Sequence, residues 1–294
     1  MPLINQLLAN GLIAGAIYAL MASSFSLIFN IVKFMDFSPG AIYVLAAFAA
    51  FFFNIVLGLN FFVALILSLI IVSLAAIVIN KSVYKPIRER KGSNFILLLA
   101  SFGVFLIVTG IILLLFGAQV KTFGLPIEKG YDIFGALITK TQILLIVTSL
   151  VLFFFLQLFM KTTKLGKSMR AVADNREIAS TLGINVEKTI TITFVIAAIL
   201  AGVAGILVGI EQNIEHSMGF IVVIKGITAS IVGGVGNVPA ALLGGFLIGI
   251  VENLGILFLP SGYKDAIAFL ILIIFLLFRP QGIFGVKTRE EVSG

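Results

Sequence analysis

Long uncharged apolar runs alternate with short polar breaks along almost the whole chain. Residues 7–32 carry no charge and exceed the roughly 20 helical residues needed to cross a bilayer. The polar break KFMDFSPG at 33–40 separates them from a second run at 41–59, and a tight Gly58-Leu59-Asn60 turn leads into a third at 61–79. After the basic stretch KSVYKPIRERKGS come runs at 95–116 and 143–160. The loop between these two carries Gly124, Pro126, Gly130 and Gly135, and 133–138 is expected to dip into the membrane. Beyond the polar stretch 161–188 lie runs at 189–210, 221–235, 240–259 and 263–278. The 221–235 run holds Lys225 and the Gly233-Gly234-x-Gly236 cluster, so hydropathy alone scores it poorly.

Composition fixes the class. With 60% hydrophobic and 11% charged residues and a mean hydropathy of +1.20, this is an all-α polytopic integral membrane protein. It is read as one transmembrane domain with about eight or nine crossings. The net charge of +7 reflects topology, not nucleic-acid binding, because the basic residues cluster between apolar runs. Lys81, Lys85, Arg88, Arg90 and Lys91 in one loop, those of 161–188, and Arg279, Lys287 and Arg289 in the tail fall on one side, expected to be cytoplasmic. Glu128 and Glu215 fall on the other. An even number of crossings between 188 and the tail then requires the glycine-rich run to cross too, placing the N-terminus outside and the C-terminus inside. The absence of Cys and the single His216 remove thiolate and histidine metal sites from consideration, and no cofactor is expected.

Three runs carry small residues at every fourth position: Gly11, Gly15, Ala19, Ser23; Ala197, Ala201, Gly205, Gly209; and Ala241, Gly245, Gly249, Asn253. Such faces let helix backbones approach closely, so these helices are expected at the centre, for packing alone or also lining a path. The 28 Phe residues suit lipid contact and bulk filling. Chemistry is sparse. Leu165-Gly166-Lys167-Ser168 imitates the end of a phosphate-binding loop, but Lys161 stands where the first glycine belongs. Glu252, mid-run, is either a functional ionisable residue or a carboxylate paired with Lys225. Asp36 either carries a proton or caps the second run.

The stretch 161–188 is the longest water-compatible sequence, and it contains Asp174-Asn175-Arg176-Glu177. Asp174 with Glu177 three positions on has capping-box spacing, which predicts a helix starting at Asp174, running through Leu182, and stopping at Gly183. Two turns do not persist alone in water. Ile178 and Leu182, with Ala179 beside them, form a small apolar face that needs a groove, expected on a soluble partner.

The runs GKSMRAVADNREIASTLGINVEKTITITFVIAAILAGVAGIL and IVGGVGNVPAALLGGFLIGIVENL strongly resemble signatures of Liv-type permeases, the membrane subunits of branched-chain amino acid ABC importers. NGLIAGAIYALMASSFSLIFNIVKFMDFSPG resembles them less closely; Asp36-Phe37-Ser38-Pro39-Gly40 replaces the family's usual Asn-Phe-Ala-His-Gly, a departure that bears on the solute. The resemblance covers the whole chain. It implies a translocation subunit that performs no catalysis, working with a second permease, cytoplasmic ATP-binding subunits and an extracytoplasmic solute-binding protein. It also implies that the 174–182 helix is the coupling helix. The residues expected to couple to the ATPase are then Arg170, Asp174, Asn175, Glu177, Ile178, Leu182 and Gly183; Gly15, Gly205, Gly245, Gly249 and Glu252 are expected in packing or the path. A rival reading is a stand-alone secondary transporter using Glu252 or Asp36.

Overall fold

The computed structural model describes residues 2–124, 129–279 and 281–284. Pro126, Glu128, Lys287 and Arg289, used above in the topology argument, lie outside the described residues. Among the described residues, eight helices are long and apolar enough to cross a membrane, the lower of the two counts expected. The first, α1 (Pro2–Val32), is uncharged throughout. The second, α2 (Ser38–Phe51), continues into a π-helical turn, Phe52–Val56. Gly58, with φ of +67°, makes the turn into α3 (Phe61–Ile79), and Asn60 caps that helix by accepting from the Phe62 N–H.

The basic stretch after α3 is more helical than its polarity suggests. A π turn, Asn80–Tyr84, and the short α4 (Lys85–Glu89) prolong α3 as one rod. The wider turn, with the Lys85 N–H on the Asn80 carbonyl, carries the helix past Pro86, whose ring would clash in a regular α-helix. Next come α5 (Asn94–Phe116), a hairpin of β1 (Tyr131–Ile133) and β2 (Ala136–Ile138), and α6 (Lys140–Thr162). Residues 133–138, where a dip into the membrane is expected, lie in this β-hairpin. Phe134 and Gly135 both have positive φ, as its two-residue turn requires, and the strands dock on the start of α1. Gln6 Oε1 accepts from the Leu137 N–H at 2.8 Å, and Asn5 Nδ2 donates to the Phe134 carbonyl at 2.6 Å.

Two helices, α7 (Lys164–Asp174) and α8 (Arg176–Thr181), fill the central polar stretch before α9 (Val186–Glu211). The glycine-rich run forms α10 (Met218–Gly233), whose 16 residues make it shorter than a full span. The last described helices are α11 (Val238–Leu254) and α12 (Lys264–Phe278).

Helix α1 packs on α11, α10 and α9, and α2 packs on α9, α3 and α5, so the core lies around α1 and α9. Its buried side chains include Phe25, Phe34, Tyr43, Phe48 and Met21. The outer faces of α3, α5, α6 and α12 remain apolar and exposed, with Leu114 and Phe278 more than four-fifths exposed, as lipid contact requires. Glycines set the closest crossings. A Cβ on Gly245 would run into the backbone of Ala19, one on Gly249 into that of Gly15, and one on Gly205 into the Tyr43 carbonyl.

Candidate functional site

Two constructions along α1, one at its Val32 end and one on its first half, carry the chemistry. At its Val32 end, α7 and α8 form a tight corner. Thr163 caps α7 by accepting from the Gly166 N–H, and Met169 and Val172 bury one face while Lys164, Lys167 and Arg170 stay outside. The Leu165-Gly166-Lys167-Ser168 sequence lies within this helix, with Gly166 tight against the Phe159 and Met160 backbone.

Asp174 is not the cap of α8, a correction to the sequence reading. It is the last residue of α7, whose ladder extends to Asn175 N–H on the Ala171 carbonyl. Only Asn175 has extended backbone, and its Oδ1 accepts from the N–H groups of Glu177 and Ile178 at 2.9 and 3.0 Å. Spacing alone could not exclude Asp174, because that argument ignores the preceding helix. A reciprocal capping box occurs instead at Thr139 and Gln142, opening α6. At the far end of α8, Gly183 takes φ of +81° and the Ile184 N–H returns to the Ala179 carbonyl, closing the helix.

On α8 and its end, Ile178 is 58% and Leu182 74% exposed, while Ala179 turns inward and is buried. Arg170, Asp174, Asn175, Glu177 and Gly183 are exposed on the same corner. The corner is fastened by a residue the sequence reading passed over. Arg176 Nη2 donates to the carbonyls of Ile31 at 2.9 Å and Val32 at 2.7 Å, the last acceptors of α1. An arginine in the first turn opposes the dipole of its own helix, yet suits the C-terminus of another. That mismatch was the available signal. Partial burial, then the nearby Arg88 charge, lower the affinity of this guanidinium for its proton, and Glu187 opposes them.

Close to this end, Asp36 is fully buried. It accepts from the Ser38 N–H at 2.8 Å, the Ser38 hydroxyl at 2.7 Å and the Tyr84 hydroxyl at 2.9 Å, so it satisfies the first N–H of α2 from one residue before the N-cap position, Phe37. Burial pushes its carboxyl up to about 6, and the three hydrogen bonds hold it from rising further.

The second construction is a cavity of about 540 Å³ on the hairpin side of the core. Asn10, Gln142, Glu211 and Asn213 line its polar part, and Gln142 Nε2 donates to Glu211 Oε1 at 2.6 Å. Ile13, Ile17, Ile221 and Val222 supply an apolar wall. At its base Lys225, from the middle of α10, reaches Glu252 Oε1 on α11 at 2.8 Å, Asp265 Oδ1 on α12 at 2.6 Å and the Tyr18 hydroxyl on α1 at 3.0 Å. The Lys225–Glu252 pair weighed in the sequence analysis is present. Tyr18, Tyr43 and Asp265 had no sequence signal, because hydropathy does not report which spans meet.

The ladder residues divide. Gly15, Gly245 and Gly249 meet along the α1–α11 crossing, whereas Gly205 turns to α2. Glu252 lines the cavity, with Asn253 of the third ladder beside it, whereas Gly15, Gly205, Gly245 and Gly249 do not.

Residues 7–276 match the family model described as branched-chain amino acid transport system, permease component. The chain belongs to this permease family. It is 33% identical to the high-affinity branched-chain amino acid transport system permease protein BraD of Pseudomonas aeruginosa, over 98% of this chain and 97% of that one. It is 29% identical to the corresponding LivH protein of Escherichia coli, with the same coverage of each. Among solved structures, a chain of PsaBC from Streptococcus pneumoniae in complex with Fab aligns with a TM-score of 0.52 and 13% identity, covering 94% of the permease and 92% of that chain, a likeness of fold alone. The permease is therefore a multi-pass transport subunit, and its family membership supports the importer reading over the stand-alone carrier.

Proposed function

We propose that the permease conducts branched-chain or related aliphatic amino acids across the cell membrane, using ATP hydrolysed by cytoplasmic subunits. The observation that carries this reading is that one helix serves both constructions. The end of α1 is held by Arg176 of α8, and its middle contributes Ile13, Ile17 and Tyr18 to the cavity. A helix about 45 Å long, packed through glycines, transmits displacement as a rigid body. The exposed Ile178 and Leu182 are what a docked helix presents to a groove. In this reading the α8 end is cytoplasmic and meets the ATPase, and the hairpin end is external and meets a solute-binding protein. A second permease completes the path, and the permease carries no ATP site of its own.

The test is purification with associated subunits, reconstitution into vesicles, and uptake of labelled leucine, isoleucine and valine. Uptake is expected to require ATP on the α8 side. Uptake driven by a proton gradient with no ATPase present would overturn the reading in favour of the carrier.

The orientation has its own test, helped by the absence of native cysteine. Arg170→Cys is expected to resist, and Glu215→Cys to accept, an impermeant thiol reagent applied to intact cells. Labelling at 170 from outside would reverse the topology.

A further inference from the structure

The base of the cavity is a cluster whose hydrogen bonds are not all made. An ammonium has three N–H donors, and Lys225 spends one on each of Tyr18, Glu252 Oε1 and Asp265 Oδ1. Glu252 is 2% exposed, and its Oε1 takes Lys225 at 2.8 Å and the Tyr18 hydroxyl at 3.4 Å. Its Oε2 has no hydrogen-bond partner among the described residues. Neither has the hydroxyl of Tyr43, a residue with no exposed surface. Both residues line the same cavity. Buried polar atoms are rarely left unsatisfied, and a carboxylate oxygen is the most costly to leave so. Two such atoms, on residues that line one cavity, point to a group that arrives through the cavity.

Their chemistry narrows that group. Glu252 Oε2 only accepts, and the Tyr43 oxygen also has lone pairs to offer. A carboxylate arriving there would face Glu252 and find no free N–H on Lys225. A primary ammonium supplies several N–H donors and a positive charge, and the four carboxylates Glu211, Glu215, Glu252 and Asp265 against the two lysines Lys225 and Lys264 leave that charge wanted. Ile13, Ile17, Ile221 and Val222 give the aliphatic part of the same molecule an apolar surface. Lys264, which also lines the cavity and spends a hydrogen bond on Asn253 Oδ1 at 3.1 Å, is a cation of the kind a solute carboxylate needs.

We propose that Glu252 Oε2 and the Tyr43 hydroxyl form a station for the α-ammonium group of an aliphatic amino acid, so that the permease itself reads the ammonium. Lys225 and Tyr18 act as positioning residues, engaging Oε1 and leaving Oε2 for the solute. This rests on the cavity being part of the solute path proposed above.

The test uses the permease–ATPase complex without its binding protein and three probes. Isoamylamine has the aliphatic tail and an ammonium, 4-methylpentanoate has the tail and a carboxylate, and L-leucine has both. Isoamylamine and leucine are expected to protect the permease against thermal unfolding, and 4-methylpentanoate is not. Tyr43→Phe removes a hydroxyl that has no partner among the described residues, so the ligand-free melting temperature is expected to stay unchanged while affinity for isoamylamine falls about tenfold or more. Glu252→Gln is expected to lose the protection as well, but it also unpairs Lys225, so Tyr43→Phe decides. Equal protection by isoamylamine and 4-methylpentanoate, no protection by isoamylamine, or undiminished affinity in Tyr43→Phe would each overturn the station. Uptake of leucine by the wild-type complex with its binding protein and ATP reports separately on the transport reading. Uptake without isoamylamine protection sinks the station alone; Tyr43-dependent protection without leucine uptake sinks the solute assignment and leaves the ammonium site standing.

Discussion

Gly245→Leu is expected to abolish a monodisperse, folded permease, while Gly103→Leu in α5 leaves it intact. The two differ in what a side chain would meet. At Gly245 the first added carbon already collides with the Ala19 backbone of α1, and at Gly103 nothing lies within 4 Å. Backbone atoms in a packed helix cannot swing aside as a flexible side chain can, so the cost lies at or above the upper end of ordinary overpacking, about 3 kcal/mol. In a bilayer no hydrophobic effect between helices offsets that loss, since close packing is what holds them together. Gly249→Leu and Gly205→Leu belong with Gly245, through Gly15 and the Tyr43 carbonyl. The measurement is the elution profile and melting of each variant in mild detergent. A Gly245→Leu variant that elutes and melts like the wild type would show that this crossing is not what holds the core.

That contrast also marks how far the sequence could be read. The spans were legible because a bilayer demands long uncharged helices, and 61–79 matches α3 residue for residue. The faces of close approach were legible from their four-residue spacing. Which faces meet was not, because a glycine ladder states that something comes near without naming it. Nothing in the spacing of Gly205 distinguishes Tyr43 of α2 from another glycine ladder. The helix α7 was missed although Leu165, Met169 and Val172 have helical spacing, because polarity drew attention to the stretch as a loop. The cavity base draws Tyr18, Lys225, Glu252 and Asp265 from four helices. Only the Lys225–Glu252 pairing was anticipated, since two ions within spans need a partner.

Ile178→Asp and Arg176→Ala, compared in one experiment, are expected to fail in different ways. Ile178 is 58% exposed and makes the apolar face of α8, so a carboxylate there does not disturb the permease itself. In a docked groove the same carboxylate is desolvated without a partner, at a cost of several kcal/mol, enough to release the ATPase by three orders of magnitude or so. Such a variant inserts and folds, but no nucleotide-binding subunit co-purifies and ATP-driven uptake is lost. Arg176→Ala leaves Ile178 and Leu182 in place for docking. What it removes is the pair of charge-assisted hydrogen bonds to Ile31 and Val32, each worth on the order of 2 kcal/mol, by which α8 grips the end of α1. The ATPase is therefore expected to stay bound and hydrolyse ATP, while uptake per ATP falls. Asn175→Ala, which loses the cap of α8 at about 1 kcal/mol, is expected to resemble a weak Ile178→Asp because the docking helix frays. If Arg176→Ala instead releases the ATPase as fully as Ile178→Asp, Arg176 supports the docking surface and the grip on α1 is not the relay. If Ile178→Asp keeps both the ATPase and uptake, α8 is not the docking element, and the exposed, basic face of α7 with Lys164, Lys167 and Arg170 becomes the surface to test.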